Sequence, residues 1–182
     1  MAADGRRRSH WAWGYEDELP AGQELRETAE LISAVTGFAL PGELEEPVPF
    51  DAVRLPEPRL EPPDALARIC SRQPHDRAVH AHGMAYRDLV RAFRGVYGHV
   101  PDVVARPGSE AEIADLLGWC QAAGAAAIPF GGGTSVVAAS SRGPVPGTPG
   151  RCRWTCPGSA RCWRPIRCPG QPGSRRARPG RR

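Results

Sequence analysis

Apolar positions in this chain recur at two spacings, and the clearest stretch runs from Pro101 to Phe130. Val103-Val104-Ala105 is a short apolar run closed off by Pro101 and Pro107, the pattern of a strand. Ser109 then stands as an N-cap, with Glu112 three residues on to complete a capping box. Glu110 and Glu112 also favour the positive start of a helix. Ile113, Leu116, Leu117 and Cys120 fall on one helical face, and Gly124 is placed to end the helix. Ala125 to Phe130 is apolar again and runs into glycines, which predicts a second strand. Strand, helix, strand and glycine loop form the opening of an α/β layer.

Upstream the periodicity is weaker. Residues 22–37 read as a helix, with Leu25, Ala29 and Ile32 on one side and Gly37 as its stop. Seven prolines lie between Pro41 and Pro63, interleaved with acids, and predict an extended connector that wraps a surface without a core of its own. A short helix is expected from Asp64 to Cys70. A further amphipathic helix is expected over residues 84–94, where Tyr86, Leu89, Val90 and Phe93 share a face and Gly95 and Gly98 come next. Cys70 and Cys120, at apolar ends of helical segments, read as core residues. The pattern divides the chain into a leader over 1–74, an α/β unit over 75–137 and a tail over 138–182. The compact region is expected between about residues 75 and 137.

The run from Ile128 to Val137, Ile-Pro-Phe-Gly-Gly-Gly-Thr-Ser-Val-Val, carries the candidate chemistry. Consecutive glycines have no Cβ to block close approach, so their N–H groups can converge on an anion, and Thr134 and Ser135 add hydroxyls. From the residues alone the run is either such a cradle or a glycine turn between two core strands. It lacks the Gly-Lys-Ser/Thr ending of a triphosphate loop and the Gly-x-Gly-x-x-Gly spacing of a Rossmann turn. It does resemble the pyrophosphate loop of FAD-linked oxidases with a PCMH-type (vanillyl-alcohol-oxidase-type) FAD-binding domain. Within that superfamily it is most similar to the alkyldihydroxyacetonephosphate-synthase-like branch. The N-terminal Trp-Ala-Trp-Gly-Tyr-Glu, the Leu55-Pro56-Glu57-Pro58-Arg59 connector and the Tyr86 to Arg91 helix resemble the leader of that branch, in the same order.

The resemblance implies an α+β fold: a helical and extended leader followed by the first β-α-β unit of the FAD-binding domain. It implies that Pro129, Phe130, Gly131, Gly132, Gly133, Thr134, Ser135 and Val136 lie along the FAD diphosphate and ribityl region. No histidine occurs in the loop, so the FAD is expected to be non-covalent. The rest of the FAD domain, the substrate domain and the catalytic residues of such enzymes lie downstream of this loop. The chain is therefore expected to be an N-terminal fragment of an FAD-dependent oxidoreductase acting on a small molecule. Alone it should be inactive and should not retain flavin.

Charge changes the picture of the tail. Residues 1–137 hold all 20 carboxylates and 13 arginines, whereas residues 138–182 hold 11 arginines, four of the six cysteines and no Asp, Glu, Leu, Phe or Tyr. Such a segment is expected to be disordered, because it lacks apolar residues to offset chain entropy. The chain has no lysine, which points to a GC-rich gene. Codons consistent with residues 137–142, read from their third base, permit Gly-Gly-Val-Glu-Pro. Those of Arg151 to Arg178 permit LSLDLPGLGAVLEADPVSRAARIQAGA. That text alternates apolar and polar residues and resembles the segment downstream of the loop in the oxidase family, where GGGTSVVGGVE leads to a strand like SLDL and then to VLEVDPVSRAARIQAG. The tail from about residue 138 is accordingly read as a frameshift product.

An alternative from a different class is a small basic adaptor whose Arg/Cys-rich tail binds nucleic acid or zinc. Cys152, Cys156, Cys162 and Cys168 are spaced x3, x5, x5, and only the first pair fits structural zinc spacing. The arginines supply charge without an ordered motif to read bases, so no specific nucleic-acid partner is expected. His80-x-His82 would share one face of a strand, but no partner ligand lies at a suitable spacing, and both read as solvated or core histidines. Arg72, Arg77 and His99 read as surface or packing residues. Arg6-Arg7-Arg8 is basic, yet acids come directly after Tyr15 and no apolar segment of a signal peptide or membrane span appears, so a cytoplasmic location with reduced thiols is expected.

Overall fold

The strand–helix–strand pattern folds as read. In the computed structural model, which describes residues 5–40, 42–136, 147 and 150–155, β2 (Val103–Ala105) leads through α5 (Glu110–Ala122) to β3 (Ala126–Pro129). Ser109 Oγ accepts the Glu112 N–H at 3.2 Å, while the Glu112 carboxylate accepts from the Gly108 N–H at 2.6 Å. Both bonds satisfy amides at a helix start that would otherwise lack partners. Gly124, at φ 62°, takes the left-handed turn that ends the helix. Leu116 and Cys120 are its buried residues; Ile113 is half-buried and Leu117 is 43% exposed.

The remaining helices are α1 (Gly22–Thr36), α2 (Asp64–Ala67), α3 (Pro74–Val79) and α4 (Tyr86–Phe93). Among the described residues no helix is long and apolar enough to cross a membrane. The expected helix over residues 64–70 is shorter: it ends at Ala67, and Cys70 instead opens β1 (Cys70–Ser71). In α4 the buried residues are Asp88 and Ala92, whereas Tyr86 is 83% exposed, so the apolar stripe only partly faces the core. His80 and His82 do not share a strand face, because His80 caps α3 and His82 lies in the turn after it.

The sheet has the order β1-β2-β4-β3, with β1 antiparallel to β2 and the other pairs parallel. Its third member, β4 (Arg151–Trp154), comes from the tail and corrects the expectation of disorder for those four residues. The reason is physical. A strand between β2 and β3 supplies main-chain partners to both, a demand that does not depend on side-chain type. Cys152 and Trp154 pair with Val103 and Ala105 and face the same core, so half of β4 is apolar where it must be. Arg151 and Arg153 take the other face, at 6% and 3% exposure. Gly150 and Thr155 flank β4 and bond to Ala126 and Ala105 through the main chain, and apart from Gly147 the rest of the tail lies outside the described residues.

One core joins Leu60, Leu66, Ile69, Val103, Ala105, Leu116, Cys120 and Cys152. The core therefore reaches beyond residues 75–137 in both directions. The proline-rich connector is extended as expected, but it inserts Leu60 into this core rather than only covering it. Asp102 fastens the arrangement: its carboxylate accepts the Arg59 N–H at 2.8 Å, the Arg59 guanidinium at 3.2–3.3 Å and the Arg151 N–H at 2.7 Å. Burial raises its pKa, but these donors outweigh burial and hold it below the usual carboxylate value.

Candidate functional site

The glycine run leaves β3 at Phe130. Its N–H donates to the Trp154 carbonyl at 2.9 Å, and its ring, 7% exposed, lies 4.8 Å from the His80 ring and 5.2 Å from the Arg153 guanidinium. Gly133 curls back over that ring with φ 75°, and a Cβ there would sit 2.8 Å from Phe130 Cζ. Glycine is thus required at 133 by both conformation and space. Packing makes no such demand at 131 and 132. Nothing lies within 4 Å of a Cβ at Gly131, and one at Gly132 meets only Thr134 Cγ2 at 3.5 Å.

The run is pinned at two points by segments that precede it in the chain. Arg8 Nη2 donates to the Gly132 carbonyl at 3.2 Å, and the Met84 N–H donates to the Ser135 carbonyl at 2.8 Å. Its own donors are not used in this way. None of the N–H groups from Gly131 to Ser135, and neither hydroxyl of Thr134 and Ser135, bonds to another described residue. Gly131, Gly132 and Thr134 are exposed, Ser135 is half-buried, and Val136 is 63% exposed. Pro129 is the last residue of β3, paired with Trp154. The structure thus brings Pro129 to Val136 together as one exposed turn rich in unengaged donors, with Phe130 and Gly133 as its packed side.

Beneath the turn, His80 is 5% exposed, and its Nδ1 lies 2.7 Å from the Asp76 carbonyl oxygen. Burial pushes its pKa down to about 4, with the nearby Arg106 and Arg8 charges acting in the same sense. His80 is therefore a neutral packing group at pH 7. Asp76 meets Arg106 through both carboxylate oxygens, one at 2.7 Å. Burial would raise the Asp76 pKa, and Arg106, with Ser71 and His80, together more than offset that. These surroundings do not oppose a diphosphate-bearing cofactor: His80 is neutral, the Asp76 carboxylate is paired with Arg106, and the N–H groups above them are unengaged among the described residues.

Arg8, Gly83 and Met84 escaped the sequence reading. Nothing in the sequence links either segment to the glycine run: Met84 reads only as the start of an amphipathic helix, and Arg8 meets the loop across 124 residues of chain. Other candidates take structural roles. Arg77 is 3% exposed and donates to the Pro101 and Pro56 carbonyls at 2.8 and 2.6 Å. Arg72 pairs with Glu61 at 2.6 Å. Both also line a cavity of about 570 Å³ beside Phe50, Arg54 and Glu57, to which no loop residue contributes. Among the described residues there is no group of three or more metal-ligating side chains. Cys152, one of the four tail cysteines, is a fully buried free thiol in the core, while Cys156, Cys162 and Cys168 lie outside the described residues.

No family model matches the chain. Individual proteins do. Over 90 residues it is 33% identical to the alkyldihydroxyacetonephosphate synthase of Trypanosoma brucei brucei, a match to 46% of this chain and 15% of the relative. Over 60 residues it is 37% identical to that of Caenorhabditis elegans, covering 33% of this chain and 10% of the relative. Solved structures of alkyldihydroxyacetonephosphate synthase in two crystal forms, P1 and P212121, share its fold with TM-scores of 0.53 and 0.58 at 22% and 20% identity. They match 62% and 72% of this chain and 22% and 26% of their own lengths. The chain thus spans a quarter or less of most of these proteins. Over the part they cover, its sequence and structure homologues are alkyldihydroxyacetonephosphate synthases, members of the FAD-linked oxidase family.

Proposed function

We propose that this chain is the N-terminal part of an FAD-dependent enzyme of the synthase-like branch, and that Gly131 to Ser135 cradle the FAD diphosphate. One observation carries the reading: a row of unengaged N–H groups stands beside two glycines whose missing side chains packing does not explain. A diphosphate approaching the backbone needs both features. Pro129 and Val136 flank the cradle, Phe130 and Gly133 set its curvature, and Thr134 and Ser135 add hydroxyl donors. A bound flavin would supply the redox chemistry, and the protein its position and surroundings. The substrate is a small molecule, in keeping with the branch a dihydroxyacetone-phosphate derivative. The groups that act on it belong to downstream sequence, so the 182-residue chain is inactive and holds no flavin in stable form. Residues 1–74 serve as leader and 75–137 as the start of the FAD-binding domain, in a cytoplasmic protein.

The tail from about residue 138 is read as out of frame. With one nucleotide restored ahead of codon 150, the alternative text places leucine at 152 and 154 and serine at 153. Positions 152 and 154 are the ones that face the core, and 153, like 151, now holds a buried arginine. Burial holds Arg153 at a pKa of about 10, a cost that the alternative residues avoid. Sequencing the gene and about a thousand bases beyond it tests this reading, the length being that required by a body of several further domains. An alternative-frame continuation resembling an FAD-oxidase body, and a yellow product from the restored gene, are expected. A gene with no such continuation would overturn it.

A further inference from the structure

Three arginines stand in succession at the start of the described chain, and their surroundings differ. Arg6 pairs with Asp17 at 2.9 Å and Glu18 at 2.7 Å. Arg7 pairs with Glu16 at 3.5 Å and lies over the Phe50 ring. Arg8 has no carboxylate within ion-pair distance among the described residues. Its backbone is fixed by an antiparallel bridge to Tyr15, and its side chain crosses to the glycine run, where Nη2 donates to the Gly132 carbonyl at 3.2 Å.

A guanidinium carries five N–H donors, and this contact uses one. The remainder make no bond to another described residue, and the Gly131 to Ser135 amides of the run that Arg8 touches are likewise unengaged among the described residues. Main-chain amides supply direction but only partial charge, whereas a diphosphate carries full negative charges. A charge-assisted bond from arginine is about twice as strong as a neutral one and matches phosphate oxygens in pairs. Of the other groups near the run, His80 is buried and neutral at pH 7, the Arg106 guanidinium is paired with Asp76, and the Arg153 guanidinium is buried against the Phe130 ring. The Gly132 contact has a second effect. It fixes the orientation of the next peptide, and with it the Gly133 amide.

We infer that Arg8 is a cofactor-binding residue, delivered by the N-terminal segment to hold the Gly132 carbonyl and present its guanidinium to the cofactor diphosphate. This rests on the reading of the loop as a diphosphate cradle. It also gives the N-terminal segment around Arg8 a part in the site.

The test uses the 182-residue chain and inorganic pyrophosphate, read by the NMR shifts of the Gly131 to Ser135 amides. The loop amides of the parent chain are expected to move on titration, with affinity falling as salt is added. Arg8→Gln keeps a donor for the Gly132 carbonyl but loses the charge, and should need roughly tenfold or more pyrophosphate. Arg8→Lys, which restores charge without the planar fork, should recover part of that loss. Equal binding by a folded Arg8→Gln chain would overturn the role of Arg8 and leave the loop reading standing. Absence of any loop shift in the parent chain would overturn both. Should Arg8→Gln not fold, phenylglyoxal labelling of the parent chain decides: pyrophosphate is expected to protect Arg8 from the reagent, and unchanged labelling of Arg8 would sink the inference.

Discussion

The Met84 amide donates to the Ser135 carbonyl at 2.8 Å, and Gly83 beside it has no room for a side chain, because a Cβ there would run into that same carbonyl. The end of the glycine run is thus seated on a backbone shelf built by the turn after α3. Gly83→Ala should push the two apart and cost about 1–3 kcal/mol, the usual range for overpacking a tight contact. Amide exchange at Met84 should speed up while exchange in α5 keeps its order. Unchanged protection at Met84 would mean that the shelf does not hold the loop.

Asp102 is the second joint, binding the connector through Arg59 and β4 through the Arg151 amide. Asp102 is buried, whereas the Arg59 guanidinium is largely exposed and can turn to water, so the loss of the carboxylate strands chiefly the Arg59 and Arg151 N–H groups. Asp102→Ala should therefore destabilise the chain by about 1–3 kcal/mol in urea unfolding. Because its folded pKa is depressed, this stabilisation is present above the unfolded carboxylate pKa and is lost as pH falls through the folded value. A loss below about 1 kcal/mol would contradict a buried network of this kind.

His80 gives a separate pH signature. Its folded pKa of about 4 lies below the ordinary histidine value of 6.5, so between these pH values the unfolded chain binds the extra proton. Stability should fall as pH drops from about 6.5 towards 4, by roughly 3 kcal/mol if His80 acts alone. Burial also lowers His10 and His75, in the same direction. His80→Phe should flatten its share of the slope, measured by urea midpoints across that window. A slope unchanged by the substitution would show that His80 is not held neutral.

Much of the α/β unit was legible in the sequence because its signals are local. Ser109 and Glu112 start α5, Gly124 ends it, and prolines bracket β2. The glycine run could be located, but not the residues that seat it, since Arg8 and Met84 approach from distant segments and only tertiary structure brings them to the loop. Leu60 stands as an isolated apolar residue among prolines and Leu66 in a helix too short to show a periodic face, and only tertiary packing reveals them as core. β4 was illegible for a different reason. Arg-Cys-Arg-Trp lies in a stretch of strand-poor composition, and its place is set by the main-chain needs of β2 and β3.

That mismatch can be measured. The triple substitution Cys152→Leu, Arg153→Ser and Trp154→Leu installs the alternative-frame residues and removes a buried guanidinium. It should stabilise the chain by about 1 kcal/mol or more, since replacing a buried charge with fitting neutral groups is neutral to favourable. A folded variant clearly less stable than the parent would argue that the present residues are native to that slot.

The most direct measurement is the flavin content of the frame-restored protein with and without Gly132→Val. A side chain at 132 meets only ordinary contact with Thr134, so the variant should fold, yet it stands where the diphosphate must approach. The restored parent is expected to purify with one FAD per chain. The folded Gly132→Val protein is expected to lose it, because each 1.4 kcal/mol of lost binding is about tenfold in affinity. A folded Gly132→Val protein that keeps stoichiometric FAD would show that the glycine run is only a turn, and would contradict the account.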